Sequence, residues 1–296
     1  NKWDFGCHVM KNFFQGKGGF GSAKTTRRLI GWLDEVKPDI IHLHNIHGFY
    51  LQTEELFAYL KQSDAAVVWT LHDCWPFTGH CAYFDFIGCS KWKNGGCRHC
   101  EVHAKVYPYA IFKDNTEWAF EAKKEAYTGV KNLTIVTPSF WLAELVRESF
   151  LKEYPVKVIP NGINLEVFSP DAEQEPAKEK EKYTVLGVAN RWEERKGLIY
   201  FEKLAEALPD SYMIKLVGVN DKQAQMLNKK YEGKILSVQR TESVEKLAQL
   251  YREADVYVNA TLEDNFPTTN LEALACGTPV ITFDTGGSRE SLDETC

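Results

Sequence analysis

Two carboxylates stand eight residues apart in the stretch 261–280, TLEDNFPTTNLEALACGTPV: Asp264 and Glu272. The pattern reads as a strand ending at Asn259, a polar loop, and a short helix, Thr269 to Cys276, closed by Gly277 as its cap with Pro279 beyond. On this reading Asp264 lies in the loop and Glu272 in the first turn of the helix. The amides around Pro267 to Asn270 then form a positive helix end suited to an anionic phosphate. The carboxylates can accept from sugar hydroxyls, so a polyhydroxylated ligand with a diphosphate suits the stretch. A capped helix with a solvated acid in its loop is the plainer alternative.

A second cluster follows an apolar run at 183–188. GVANRWEERKG, residues 187–197, sets Arg191 and Lys196 at a strand-to-helix junction. In α/β folds that is the end where ligands bind. Two fixed cations there can neutralise a diphosphate leaving group without a metal. Glu193, Glu194 and Arg195 read as a solvated charged turn, and the whole stretch has that alternative.

Two further motifs carry possible chemistry. GKGGFGSAKTT, residues 16–26, fits G-x-G-x-x-G and misses a P-loop by one residue, Ala23. Both motifs need a buried strand just upstream, and residues 1–15 show only scattered aromatics among charges. The stretch therefore reads as a glycine loop opening a helix, with Ser22 as cap and Leu29, Trp32, Leu33 and Val36 on one face. Cys81, Cys89, Cys97 and Cys100 give C-x7-C-x7-C-x2-C, with His80, His99 and His103 close by. Four thiolates can close a tetrahedral zinc site and staple an irregular loop, 74–103. Without a secretory signal, crowded cysteines point to structural zinc before disulfides, with free thiols also open.

The elements that must position these groups alternate. Near-continuous apolar runs at 39–44, 66–71, 133–137 and 156–159 read as parallel strands covered on both faces, and 141–150 as a helix. The charged run 171–182, DAEQEPAKEKEK, reads as an exposed linker. Beyond it come strands at 183–188, 214–219, 235–238, 255–259 and 279–283. A helix over 243–253 carries Val244, Leu247, Ala248 and Tyr251 on one stripe. This is an α/β pattern of two Rossmann-like domains: 1–165 and 183–296, joined by 166–182, with ligands expected in the cleft between them. A net charge of -6 over 296 residues gives no sign of nucleic-acid binding. No apolar run approaches the ~18 residues of a membrane span.

The residues resemble glycosyltransferase family four, retaining enzymes of the GT-B fold. The resemblance rests on R…K-G after a strand, then an acid, seven residues, and Glu within L-E-A-x-A-C-G-T-P-V. VIPNGIN at 158–164 with Phe168 and Pro170 is similar to the interdomain segment, and Thr137-Pro138-Ser139 to the last strand end of the first domain. DIIHLHNIHG at 39–48 and TLHDCWPFTG at 70–79 resemble the capsule and exopolysaccharide branch. The resemblance implies that Arg191 and Lys196 hold the donor diphosphate, and that Asp264, where the family usually has glutamate, contacts the donor sugar. Glu272 would bind the donor ribose, and Asn265, Phe266, Thr268 and Thr269 would supply amides to sugar and phosphate. His72 would sit beside the transferred sugar. His44 and His47 read as packing or turn-bonding residues, and Trp75, Phe77, Tyr83, Phe84 and Phe86 as core or stacking aromatics.

The function so implied is transfer of a sugar, with retention, from a nucleotide-sugar donor to a glycan or lipid-linked acceptor in bacterial surface polysaccharide synthesis. It needs no cofactor for catalysis. Its place would be cytoplasmic, with possible peripheral contact at the inner face of the membrane. Other GT-B activities, phosphorylase or sucrose-synthase-like, and a non-catalytic zinc-stapled nucleotide-binding module are the alternatives. The family places further strands before the position of Asp39 and further helices after that of Cys296. An internal fragment is therefore expected.

Overall fold

The computed structural model describes residues 2–170 and 181–292. The charged centre of the expected linker, 171–180, lies outside the described residues. The chain forms two units, Asn1–Pro160 and Asn161–Cys296. The division falls ahead of the expected boundary at 165. Ile163 accounts for the shift, because it packs against the second unit's core beside Phe168 and Tyr251.

The first unit opens with two helices, α1 (Lys2–Gln15) and α2 (Ala23–Val36). It continues as β1 (Ile40–Leu43), α3 (Thr53–Leu60), β2 (Ala66–Thr70), α4 (Thr116–Tyr127), β3 (Leu133–Thr137), α5 (Phe140–Glu148) and β4 (Val156–Val158). All four strands are parallel, in the order β1-β2-β3-β4. Ile41, Leu43, Val67, Trp69, Leu133 and Ile135 are buried with Leu56, Phe57, Tyr127, Leu142 and Val146 in one core. At roughly 1.5–3 kcal/mol per fully buried large side chain, this cluster is what holds the sheet to its helices. The expected cover on both faces is not complete, since Ile40 and His42 on the other face of β1 are exposed.

The glycine loop has a different task from the one its letters suggest. Gly19 N and Gly21 N both donate to His8 Nε2, at 3.0 and 3.1 Å. The imidazole of α1 therefore takes the amides that a phosphate would need. With Nε2 accepting, Nδ1 carries the proton and donates to Ser22 Oγ at 3.1 Å, and Ser22 Oγ donates to Phe49 O at 2.9 Å. Ser22 stands at the N-cap position as expected, but its side chain makes no capping bond. It sits at φ 60°, and its hydroxyl makes tertiary bonds instead. Of the expected α2 face, Leu33 is buried, while Trp32 and Val36 are exposed.

The second unit runs β5 (Tyr183–Val188), α6 (Leu198–Ala207), β6 (Tyr212–Val217), α7 (Asp221–Lys230), β7 (Ile235–Val238), α8 (Val244–Glu253), β8 (Val256–Asn259), α9 (Thr268–Ala275) and β9 (Val280–Thr282). Its parallel sheet has the order β7-β6-β5-β8-β9. Strand order reverses between β5 and β8. In an open α/β sheet, the loops leaving two such strands splay apart and create a crevice at their carboxyl ends. Leu186, Leu216 and Tyr257 are fully buried, which fixes these strands rigidly beneath those loops.

Candidate functional site

The loops leaving β5 and β8 meet at the switch point. A 3₁₀ turn, Glu194–Lys196, follows β5 and ends at Gly197, φ 70°. A Cβ at Gly197 would lie 2.0 Å from Ala260 O, so glycine there lets the turn approach the end of β8. The approach brings Lys196 Nζ to 2.5 Å from Asp264 Oδ2, with Arg195 Nη1 at 3.7 Å from the same oxygen. Arg195 Nη1 also donates to Glu263 O at 2.5 Å, and Leu262 N donates to Arg195 O at 2.7 Å. Asp264 Oδ1 accepts from Asn265 N at 2.9 Å. The Asp264 side chain is 14% exposed, so its bonds to the cations are shielded from water.

The sequence expectations divide here. Lys196 and Asp264 come together. Arg191 does not join them. Its side chain is 73% exposed and pairs with Glu193 at 3.4 Å, a surface contact worth about 0–1 kcal/mol. The second cation at Asp264 is Arg195, which the sequence reading left in a solvated turn. A turn of 3₁₀ geometry points adjacent side chains to different sides, which a run of alternating charges conceals.

The α9 tip forms one residue earlier than expected, at Thr268. Glu272 is therefore the fifth residue of the helix and begins its second turn. Pro267 precedes the helix without a side-chain cap, leaving the first-turn amides to other partners. Asn265 and Phe266 are buried, and Thr268 and Thr269 are half-buried. Glu272 Oε2 accepts from Tyr251 OH at 3.0 Å. Burial raises the Glu272 carboxyl above its ordinary range, while the hydroxyls of Tyr251 and Thr268 pull it back. At the far end Gly277 takes φ 81°; its N–H donates to Leu274 O at 2.9 Å and Thr278 N to Ala273 O at 3.0 Å. That is the double bond pattern of a glycine-closed helix, as the sequence suggested.

A third loop, after β9, holds the loop that leaves β8. Gly287 N donates to Asp264 O at 2.8 Å, and Thr285 Oγ1 to Thr261 O at 2.8 Å. Gly286 sits at φ 57°, where a Cβ would lie 2.2 Å from Asp264 O. Asn270 is fully buried; its Oδ1 accepts from Asn259 Nδ2 at 2.9 Å and its Nδ2 donates to Ser291 Oγ at 2.8 Å. Sequence reasoning used Asn270 only for its backbone amide and missed its side chain, together with Gly286 and Gly287. The paired glycines just past a strand were the available signal.

In the first unit His72 is half-buried just beyond β2, and its Nε2 lies 2.9 Å from His44 Nδ1. His47 is buried with Nε2 3.3 Å from Asp73 Oδ2. Trp75, Phe77 and Phe84 are core residues, which decides for packing over stacking on a ligand. Lys123 of α4, 0% exposed, donates to Trp75 O and Thr78 O at 2.7 and 3.0 Å and lies 3.4 Å from the centre of the Trp75 ring. It ties the start of the cysteine-rich loop to α4. In that loop a thiol–thiol hydrogen bond joins Cys81 and Cys100; it lowers Cys100 to about 6 and raises Cys81. Cys81 also feels the neighbouring Cys97 and Cys89. The four thiols are neighbours, yet no group of three or more His, Cys, Asp or Glu side chains among the described residues is arranged to hold a metal ion. No described helix is long and apolar enough to cross a membrane.

Two parallel-sheet α/β units, the second with cations and an acid at its switch point, define the GT-B architecture, and solved enzymes share it. Sucrose-phosphate synthase from Thermosynechococcus elongatus superposes with TM-score 0.63 at 21% identity, covering 89% of this chain and 61% of that one. HepE from Anabaena, in complex with UDP, gives 0.58 at 14% identity, covering 90% and 65%. The profile described as Glycosyltransferase Family 4 matches residues 6–167, and that of Glycosyl transferases group 1 matches 170–295. The chain belongs to glycosyltransferase family 4. WcaC of Escherichia coli (strain K12), named for colanic acid biosynthesis glycosyl transfer, is 25% identical over 267 residues, 87% of this chain and 62% of WcaC. The N,N'-diacetylbacillosaminyl-diphospho-undecaprenol alpha-1,3-N-acetylgalactosaminyltransferase of Campylobacter jejuni subsp. jejuni serotype O:2 (strain ATCC 700819 / NCTC 11168) is 29% identical over 160 residues, 51% of this chain and 42% of that enzyme. The chain thus spans less than two thirds of these relatives.

Proposed function

We propose that the chain transfers a sugar from a nucleotide-sugar donor to a glycan or lipid-linked acceptor, with retention, in bacterial surface polysaccharide synthesis at the cytoplasmic face of the membrane. The observation that carries this reading is the meeting of Lys196, Arg195 and Asp264 at the β5/β8 switch point, four residues ahead of the α9 tip. Lys196 and Arg195, which meet at Asp264, neutralise the donor diphosphate together with Arg191 from the exposed edge of the same loop, and the amides of Asn265 to Thr269 orient its oxygens. Glu272 accepts from the ribose, Asp264 from the donor sugar, and His72 contacts the transferred sugar. The anomeric carbon–phosphate oxygen bond breaks as the acceptor oxygen bonds to the same face. The departing phosphate oxygen takes the acceptor hydroxyl's proton, so no second protein carboxylate is needed as base. The names of the relatives in colanic acid and diphospho-undecaprenol chemistry support the acceptor class.

The test is product analysis. Incubation with a panel of nucleotide-sugars and a lipid-linked acceptor should give a product with the donor's anomeric configuration. An inverted product sinks the retaining assignment. Phosphorolysis, or donor cleavage without transfer, selects another GT-B activity. No binding of any nucleoside diphosphate overturns the donor site itself.

We propose further that Cys81, Cys89, Cys97 and Cys100 take one structural zinc ion. The clustering of the four thiols in an irregular loop supports it. Elemental analysis of the purified chain should find roughly one zinc per chain, lost on changing Cys97 to Ser. Four freely reactive thiols and no zinc reject it.

A further inference from the structure

On one face of the first sheet, four polar side chains form two rungs. His42 Nε2 lies 2.8 Å from Thr70 Oγ1, and His44 Nδ1 lies 2.9 Å from His72 Nε2. Both rungs join residues 28 apart in the chain. The sheet register pairs residues 26 apart, Leu43 beside Trp69, so each rung runs diagonally to the same-face residue two positions beyond the register partner. Ile41, Leu43, Val67, Trp69 and Leu71 turn into the core, which forces the residues between them, His42, His44, Thr70 and His72, onto the opposite face. The rings of His44 and His72 stack, 5.3 Å apart and inclined by 19°.

An imidazole-to-imidazole hydrogen bond requires one nitrogen to donate and the other to accept. Two bare nitrogens repel, and so do two protonated ones. The pair therefore allows only matched tautomers. Whichever role His72 Nε2 takes toward His44, the opposite role falls to its Nδ1 while the ring is neutral. Neutrality is favoured: burial lowers His72 and His44 below the ordinary imidazole value, with His42 adding to both shifts. Asp73 opposes this at His72, but its carboxylate is shared with His47 at 3.3 Å.

We propose that His44 is a positioning residue for His72, holding it in one tautomer and one ring orientation so that it presents a fixed hydrogen-bonding role to the sugar. The proposal rests on the reading that His72 meets the transferred sugar. His44 itself touches no substrate in this scheme; it acts through its neighbour.

The experiment compares the wild-type chain with His44→Leu and His44→Asn, whose amide reaches the position of the lost Nδ1. Nitrogen-15 spectra of labelled His72 should show one tautomer in the wild type, a mixture in His44→Leu, and recovery of a single form in His44→Asn. In transfer assays His44→Leu should lower kcat roughly tenfold or more with a smaller change in KM, and should shift the acid limb of the pH profile. His44→Asn should restore most of kcat. Unchanged His72 spectra in His44→Leu overturn the proposal. Absence of transfer in the wild type overturns the functional reading instead, while the spectra still decide for or against the pair.

Discussion

Lys196 places its ammonium 2.5 Å from Asp264 Oδ2, and Arg195 approaches the same oxygen at 3.7 Å. One carboxylate thus anchors two cations at the carboxyl ends of β5 and β8. On the proposed reading, a diphosphate entering here would compete with Asp264 for Lys196, and that competition would separate the roles of the charged residues.

Lys196→Ala should weaken uridine or guanosine diphosphate binding by about 10- to 100-fold, the range of a charge-assisted hydrogen bond worth ~1.5–3 kcal/mol. Arg195→Ala should weaken binding and also lower Tm, because its guanidinium holds Glu263 O. Arg191→Ala should weaken binding without changing Tm, given its exposure. Titration calorimetry and thermal unfolding on the three variants check this. Unchanged affinity in Lys196→Ala removes the donor site from this loop.

Asp264→Asn should separate binding from turnover. Freed of its anion, Lys196 should grip a nucleoside diphosphate as well as or better than before, while sugar transfer falls at least ~10-fold. Parallel loss of both would show that Asp264 serves only to hold the loop.

Gly286→Ala should destabilise the second unit by about 1–3 kcal/mol, since it combines positive φ with a Cβ 2.2 Å from Asp264 O. Denaturant titration measures the loss. Gly233→Ala has positive φ but open space around the new methyl, so it is the control for backbone strain alone.

Acid should loosen the first unit before most carboxylates titrate. Burial lowers His8 and His80 to about 4. The unfolded chain binds these protons near 6.5, so stability is complete above that value and falls as pH drops from 6.5 towards 4. Each histidine contributes at most ~3 kcal/mol of this slope. A pH series of unfolding should show the decline, and His8→Gln should flatten it. A profile level between 6.5 and 4 would falsify the assignment.

Much of this molecule could be read from its letters. The nine strands among the described residues lie within about two residues of their apolar runs, because β-rich apolar stretches signal a sheet even where, as in β1, only one face is fully buried. Helix α1 left none: Trp3, Phe5, Met10 and Phe14 are exposed, so its aromatics form no buried stripe. Its essential residue is one imidazole whose partners lie 11 to 14 positions onward. Lys196 and Asp264 were legible from the spacing of their motifs. Arg195 was not, because only the three-dimensional path of its turn separates it from its solvated neighbours. Thr268, not Thr269, begins α9, and that single step moved Glu272 out of the first turn.

The buried amide of Asn270 binds the end of β8, the start of α9 and the return turn at Ser288–Ser291 into one stiff block. Force applied at the helix tip is therefore shared by a segment some twenty positions further along the chain. A donor seated on that tip would quiet the backbone around Ser291, and amide exchange there offers a remote gauge of occupancy.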